Sequence, residues 1–539
     1  MFIKITKSGN HHYAQLVQSY RKDGHTKHRV MLNLGRLDQI KNNASFQHLA
    51  ARLAELSALK EETNNIEDIS EAQIFNYGYL AYRRLWEQFQ LPRMLARVTG
   101  KAQFDLDKAS FLMAIGHLLA PNSKRGMHAR QERYLNLPEV KLHHLYRSLD
   151  LLERSKEMLE AKLFNLNRSL FNMKVDIVFF DVTTFYFESV RPDSLRDFGF
   201  SKNGKFNEVQ VVLGMLIDQS GRPVGYELFP GHTFDGSTLE AALDNLERRL
   251  GIQRVIIVAD RGINSKLNLK RIRDKGYHYI VASRLKSMPE NQLKQALAES
   301  GFYTLTDSEG NLFRYKSLDY LNRFKADRVY ELPERLIITY CAKRARKDQA
   351  DRQRLISKAR LLLMNKGKIK SSGKRGGKRY VKETGNVDWA LDEEAILRDE
   401  SFDGYYALQT SVTELSPRDI LIIYSDLWKI EESFRVMKST LEVRPVFHWT
   451  ESRIKGHFVL CFLAFLLERT LEFRITEAGL GSSPEQIREA LNSLNFVAVK
   501  VKKKKFLIKT KASALAHDIW RLLRLKPPKN VTPAEEMEM

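Results

Sequence analysis

Cysteine is almost absent from this chain of 539 residues: Cys341 and Cys461 are the only two. They stand far apart and without metal-ligand spacing. That excludes a disulfide framework or a cysteine-rich zinc motif, and it predicts a reducing, cytoplasmic setting with both thiols as packing residues. Long apolar runs are missing as well. The greasiest stretch, Phe458 to Leu467, falls short of the ~18 residues needed to cross a bilayer and runs straight into Glu468 and Arg469. No basic-then-apolar leader opens the chain, so neither a membrane partner nor export is expected. Glycine-rich phosphate loops are lacking too. Gly225, Gly231 and Gly236 form no cradle and no Gly-Lys-Ser/Thr follows a strand, which leaves a nucleotide cofactor unsupported. Acid is in deficit, with 65 Asp and Glu against 88 Lys and Arg and a net charge of +23. Such a surplus implies an anionic partner, nucleic acid foremost, bound with a steep dependence on salt. The 43% apolar content is enough for several domain cores, which a basic tail does not have.

The pattern along the chain divides it into six stretches. Residues 1–42 carry three alternating runs, Phe2 to Ile5, Tyr13 to Tyr20 and His28 to Leu34, joined by Ser8-Gly9-Asn10 and Lys22-Asp-Gly24, and predict a small antiparallel sheet. Residues 43–170 are helix-patterned. Pro121 to Gly126 interrupts them and sets Lys124 and Arg125 at a turn, which fits either a helix-turn-helix-like DNA reader or plain helical packing. Residues 171–285 begin a mixed α/β core, 286–415 form a β-rich interruption, 416–475 complete the core, and 476–539 are read as a helical, basic end. Inside the interruption, Lys366 to Arg379 mixes glycines and serines with cations and cannot build a core. Lys374, Arg375, Lys378 and Arg379 are there as candidate phosphate contacts, or as a solvated linker.

Three acids stand out. Val175-Asp-Ile-Val-Phe-Phe180 ends in Asp181 and Arg254-Val-Ile-Ile-Val-Ala259 ends in Asp260; each reads as a buried strand with an aspartate at its rim, where open α/β sheets place their sites. The helix-patterned segment Tyr424 to Lys438 puts Tyr424, Leu427, Glu431, Arg435 and Lys438 on one face. Taken singly, the aspartates read equally well as turn or N-cap residues and the helix as a charged surface helix. Two such aspartates with a helical glutamate, on a strongly basic chain, point instead to a metal-binding carboxylate set that acts on a phosphodiester.

These residues resemble the bacterial insertion-sequence transposases of the DDE class, in the branch with a Tyr-Arg-Glu-Lys signature (the insertion-sequence-four superfamily). Tyr424, Glu431 and Lys438 keep the signature's spacing, Trp428-Lys-Ile-Glu431 is similar to its Trp-x-Ile-Glu core, and Asp181-Val-Thr-Thr and Val258-Ala-Asp-Arg-Gly262 are similar to its two aspartate segments. Leu427 departs, standing where the family has arginine; Arg435, one turn past Glu431, is the candidate replacement. The resemblance implies an RNase H-like core interrupted by a β-rich insertion, with Asp181, Asp260 and Glu431 as catalytic residues and metal ligands. It also implies two Mg²⁺ ions, with Mn²⁺ able to substitute, and double-stranded DNA as partner, both element ends and target. Tyr424, Lys438, Arg435 and Trp428 would lie along that DNA, with Trp428 read as packing in the core rather than stacking on a base. The expected reaction is cut-and-paste transposition, through a hairpin, by a homodimer formed on DNA in the bacterial nucleoid. Another RNase H-like metal nuclease, or a non-catalytic DNA-binding relic, are the alternatives that the residues leave open.

Overall fold

The computed structural model describes residues 2–22, 25–41, 43–57, 73–100, 102–171, 176–199, 207–252, 254–306, 312–365, 367, 369, 376–384, 388–501 and 504–536. The chain forms two compact units, one of Met1–Arg84, Gly126–Glu139 and Arg474–Met539, the other of Leu85–Arg125 and Val140–Phe473. The helix-patterned residues 43–170 are therefore shared between the two. No helix among the described residues is long and apolar enough to cross a membrane.

In the first unit, Phe2–Ser8, His11–Lys22 and His25–Arg36 make a three-stranded antiparallel sheet. A second sheet runs in the order Val531–Pro533, Lys504–Lys509, Asn495–Val501, Ile74–Asn76. The helical reading of residues 476–539 is thus corrected in part. Phe496, Ala498, Phe506 and Leu507 supply the buried side of a hairpin, and its neighbour Ile74–Asn76 comes from the far end of the sequence. Asn76 fixes that pairing, its buried Nδ2 donating to the carbonyls of Leu491 (3.0 Å) and Leu494 (3.1 Å).

In the second unit, α1 (Leu106–Leu119) starts at Asp105, whose side chain accepts from the Lys108 amide, and it is buried on every face from Ala109 onward. A helix apolar all round belongs in a core. Lys124, beyond its end, is buried as well, whereas Arg125 beside it is exposed. α2 (Leu142–Phe171) follows. Then come β1 (Ile177–Tyr186), β2 (Gln210–Asp218), β3 (Pro223–Pro230), β4 (Ile256–Ala259), α3 (Lys266–Asp274) and β5 (His278–Ala282). β1, β2 and β3 are antiparallel neighbours, whereas β4 and β5 run parallel to β1 on its other side.

The interruption then adds β6 (Tyr303–Thr306), β7 (Leu312–Lys325), β8 (Val329–Tyr340) and, after α4 (Ala342–Met364), β9 (Tyr405–Thr410). β9 pairs directly with β5, so one nine-stranded sheet runs in the order β6-β7-β8-β9-β5-β4-β1-β2-β3. The chain returns through α5 (Pro417–Ser425), α6 (Trp428–Arg435), a wider turn at Val436–Thr440, and α7 (Glu451–Glu477).

Both faces of the sheet's centre are covered. Val178, Phe180 and Val182 of β1 pack with Leu239, Leu243, Leu269 and Ile272 on one side. On the other, Phe185 meets Phe458 of α7 edge-on at 5.2 Å. Phe458 to Leu467 is wholly buried, which places this apolar stretch in the unit's own interior rather than on a surface for a second copy. Gly456 lets α7 close against α2; a Cβ there would fall 1.9 Å from the Leu149 carbonyl oxygen.

Candidate active site

Alternation along β1 puts Asp181, Thr183 and Phe185 on one side of the sheet, opposite the apolar cluster of Phe180 and Val182. In the parallel pairing of β1 with β4, Phe180 stands opposite Ala259. Asp181 and Asp260 each follow the residues of that pair, which sets them side by side; Asp260 lies just past β4, but Asp181, expected at a strand end, lies within β1, which continues to Tyr186. The loop after Asp260 is held firmly. Ile263 N donates to Asp260 O (3.2 Å), buried Asn264 donates to Ala282 O (2.8 Å) and Gln409 Oε1 (3.1 Å), and Ser265 caps α3.

Glu431 comes in on α6, whose direction over the sheet is fixed at both ends. Lys429 Nζ donates to Gln219 O (2.9 Å), just past Asp218, which pairs with Val178 near the start of β1. Lys438, nine residues on, donates to Thr183 Oγ1 and lies 5.6 Å from the Phe185 ring centre. The helix therefore runs in the same direction as β1. Both contacts put α6 over β1 and β2, so Glu431, between Lys429 and Lys438 in the chain, lies over the strand that carries Asp181. Asp260 and Glu431 are both exposed, and neither carboxylate makes a hydrogen bond or ion pair with a described residue. On a chain with so many cations, that leaves two carboxylates open to a ligand.

Tyr424 ties the two parts together. Its phenol is pushed well up, first by burial, then by Tyr406 and by the negative charges of Asp260 and Asp181, so it feels both aspartates and keeps its proton. Tyr406 Oη donates to Tyr424 Oη at 2.8 Å. Tyr406 is itself raised, mainly by burial, with Asp260 raising it further and Arg344 and Arg261 opposing. The Arg344 guanidinium sits 4.8 Å from the Tyr406 ring centre. Thr183, Tyr406, Arg261 and Arg344 were not singled out from the sequence. Strand alternation alone would have found Thr183 beside Asp181; Tyr406 and Arg344 needed the pairing of β9 with β5.

The remaining expectations divide. Trp428 is 54% exposed and does not pack in the core: it is the first residue of a short helix whose buried side is Ile430, Ser433 and Phe434. Arg435 donates to Glu432 (3.2 Å), which also lies 3.7 Å from Arg469. Glu432 is about 100° round the helix from Glu431, so Arg435 faces the wrong acid to make good the arginine missing at Leu427. Arg379 holds Asp399 (2.6 Å) together with Lys286 and Tyr380, a structural contact rather than a free phosphate ligand. Lys378 is half-buried. Lys374 and Arg375 lie outside the described residues.

Residues 174–467 match the family of transposase DDE domains, and residues 3–63 match the N-terminal domain of the IS1634 family of transposases. No curated protein matches the chain. Among solved structures, a piggyBac transposase synaptic complex with hairpin DNA is similar at 10% identity over 78% of this chain and 80% of that one, with a TM-score of 0.37. A pre-cleavage Mos1 transpososome is similar at 16% identity over 32% of this chain and 58% of the other, with a TM-score of 0.15. Neither is close enough in shape to bear on the fold.

Proposed function

The chain belongs to the family of transposase DDE domains, and from that premise we propose that Asp181, Asp260 and Glu431 form the carboxylate set with which it cuts and joins DNA. It is a transposase, an enzyme that cleaves DNA and transfers strands. The observation that carries the proposal is the double anchoring of α6, through Lys429 to Gln219 and through Lys438 to Thr183, which brings Glu431 over the strand that bears Asp181. The order β3-β2-β1-β4-β5, three antiparallel strands followed by two parallel ones, supports an RNase H-like reading of the sheet, with residues 286–415 as its insertion.

The carboxylates of half-buried Asp181 and of exposed Asp260 and Glu431 would offer the hard oxygen donors that Mg²⁺, or Mn²⁺ in its place, requires. Asp181 would be the ligand shared between the two ions. Two bound ions would activate a water or a 3′-hydroxyl on one side of the phosphate and stabilise the departing oxygen on the other. The side chains around the carboxylates do the rest. Lys438, held by Thr183, sets a cation beside the attacked phosphate. Tyr424 stays protonated and donates a hydrogen bond. Arg261 and Arg344 add positive charge on the Asp260 side. Trp428 offers an open ring for a base to stack on, worth about 1–3 kcal/mol.

The reaction that fits this set is cut-and-paste transposition: nicking at an element end, attack of the freed 3′-hydroxyl on the opposite strand to form a hairpin, hairpin opening, and transfer into target DNA. Two ends must be treated together, so the working unit is proposed as a pair of copies on DNA. Glu431→Gln should abolish metal-dependent cleavage of end DNA while leaving DNA binding intact, and Glu432→Gln, which alters only the Arg435 and Arg469 contacts, should leave cleavage near the parent rate. Equal loss in both variants would reject Glu431 as the ligand.

A further inference from the structure

Away from the carboxylates, the second unit buries a group of nitrogen and sulfur side chains that the reaction does not use. His117 of α1, His457 and Cys461 of α7, and Lys124 are all buried; their neighbour His448 is 9% exposed. The His117 Nδ1 lies 2.8 Å from the Leu441 carbonyl oxygen and the His457 Nε2 lies 3.3 Å from that of Val443. A carbonyl only accepts, so those two ring nitrogens carry the hydrogens and the opposite nitrogens carry lone pairs. Both lone pairs face one point, where Lys124 Nζ sits 2.9 Å from His117 Nε2 and 3.1 Å from His457 Nδ1. Cys461 Sγ is 3.7 Å from the His457 ring nitrogens, and the ligand atoms of His117, His457 and Cys461 all lie within 4.8 Å of one another.

Among the described residues no carboxylate appears in the main influences on this group: those on Lys124 are burial and Cys461, and those on the histidines are burial, Lys124, one another, the Arg453 charge on His448, and backbone carbonyls. With one ring nitrogen of His117 and of His457 on a carbonyl and the other on the Lys124 ammonium, a donor, both imidazoles are neutral. The result is a dry pocket of neutral, soft or borderline donors converging on one positive charge without an anion. An ammonium alone in such surroundings is expensive. A metal ion is the cation that two imidazoles and a thiol suit, with both rings already oriented by carbonyls as metal-bound histidines commonly are.

We propose that His117 Nε2, His457 Nδ1 and Cys461 Sγ form a structural site for a zinc-class divalent ion, in which the Lys124 ammonium occupies the cation's position until the ion displaces it. Nitrogen and thiolate donors select zinc or cobalt over magnesium, so the site stays separate from the carboxylates. A tetrahedral ion with ~2.1 Å bonds to nitrogen and ~2.3 Å bonds to sulfur holds its ligand atoms roughly 3.5 Å apart, and small side-chain shifts close the present spacing to that. His448, whose ring centre is 5.0 Å from that of His457, stands beside the three and outside their converging group, so the fourth position would fall to it only after a shift, or to water. Binding turns the Cys461 thiol into a thiolate and passes its proton to solvent. The ion would pin α1, α7 and the 441–448 loop together, and that loop is the one that leaves the helix of Glu431.

Cobalt provides the test. The full-length protein, stripped of metal and held in excess Mg²⁺ to fill any oxygen site, is titrated with Co²⁺. One equivalent should produce thiolate-to-cobalt charge-transfer absorption with tetrahedral visible bands, and Zn²⁺ should bleach both. The signal should persist in Cys341→Ser and Glu431→Gln and vanish in Cys461→Ser. Lys124→Met, which removes the competing ammonium, should tighten Co²⁺ binding by about tenfold or more. No thiolate band in the parent protein, a band that survives Cys461→Ser, or weaker binding in Lys124→Met would overturn the site. If Cys461→Ser does not fold, the parent protein decides alone: Zn²⁺ should raise its melting temperature and a chelator reverse the rise, and an unchanged melting temperature refutes the proposal.

Discussion

Replacing Thr183 by Val tests whether the Lys438 contact sets the site. Thr183 is 3% exposed, and Val keeps its shape but removes the oxygen that accepts from Lys438 Nζ. The three carboxylates, the lysine and its packing over Phe185 stay in place. A hydrogen bond from a charged donor is worth about 1.5–3 kcal/mol, and each 1.36 kcal/mol is tenfold in rate. If that bond aims the ammonium at the phosphate, single-turnover cleavage of labelled end DNA should slow by about 10- to 150-fold. DNA affinity should change little, because the charge itself remains. The Mg²⁺ concentration for half-maximal rate should not move, because no ligand is altered; a shift there would mean that Thr183 acts on the carboxylates instead. Cleavage at the parent rate would refute the reasoning, since Lys438 would then be positioned by DNA rather than by β1.

Three further outcomes are expected. Gly456→Ala should destabilise the protein by about 3 kcal/mol, at the upper end for overpacking, because its methyl group meets the Leu149 backbone at 1.9 Å; a melting temperature equal to the parent's would contradict the packing of α7 on α2. Burial raises the Glu334 carboxyl to about 7, so the folded chain holds that proton more tightly than the unfolded one. Its stabilising share is complete below about pH 4.5 and is lost as pH rises through 7, on the order of 3 kcal/mol across the window; Glu334→Gln should flatten that part of the stability–pH curve, and an identical curve would show the group is not buried as described. Arg344→Ala should slow cleavage by about tenfold, as loss of one charged phosphate contact would, while Arg435→Ala should have little effect; the reverse order in a cleavage assay would return the missing guanidinium to Arg435.

The parts of the fold that could be read in advance are those whose signal is local. The apolar runs before Asp181 and Asp260 lie in β1 and β4; Asp260 does follow its strand, whereas β1 continues past Asp181 to Tyr186, so that aspartate is inside a strand and not at its rim. What could not be read depends on partners distant in sequence. Nothing near Lys500 says that its strand pairs with residues 74–76, so a lysine-rich run passed for a helix. Lys124 looked like a surface cation in a turn, and its burial is set by His117 and by His457 on a helix far along the chain. Trp428 is large and apolar, which argued for the core, but its place at the start of a short helix left it outside. The site followed the same rule in part. The spacing picked out Tyr424, Glu431 and Lys438, but the single helix expected there is broken at Asp426-Leu427, with Tyr424 on α5, Glu431 on α6 and Lys438 in the wider turn. Tyr406 and Arg344, by contrast, depend on a strand that joins the sheet after a long detour.

That detour has a mechanical meaning. Because β9 bonds directly to β5, and β5 to β4, the interruption is woven into the same fabric as the aspartates and does not hang beside them on a hinge. Arg344, which opens α4 just after β8, is fixed in distance from Asp260 by the stiffness of the intervening strands. It cannot swing in and out as a lid would. The segment is also not removable as a module. Excising 286–415 would strip β5 of its neighbour and leave a row of unpaired amides and carbonyls in the middle of a buried sheet, an edge that recruits other chains. A shortened variant should therefore fail by aggregating rather than merely by losing a function.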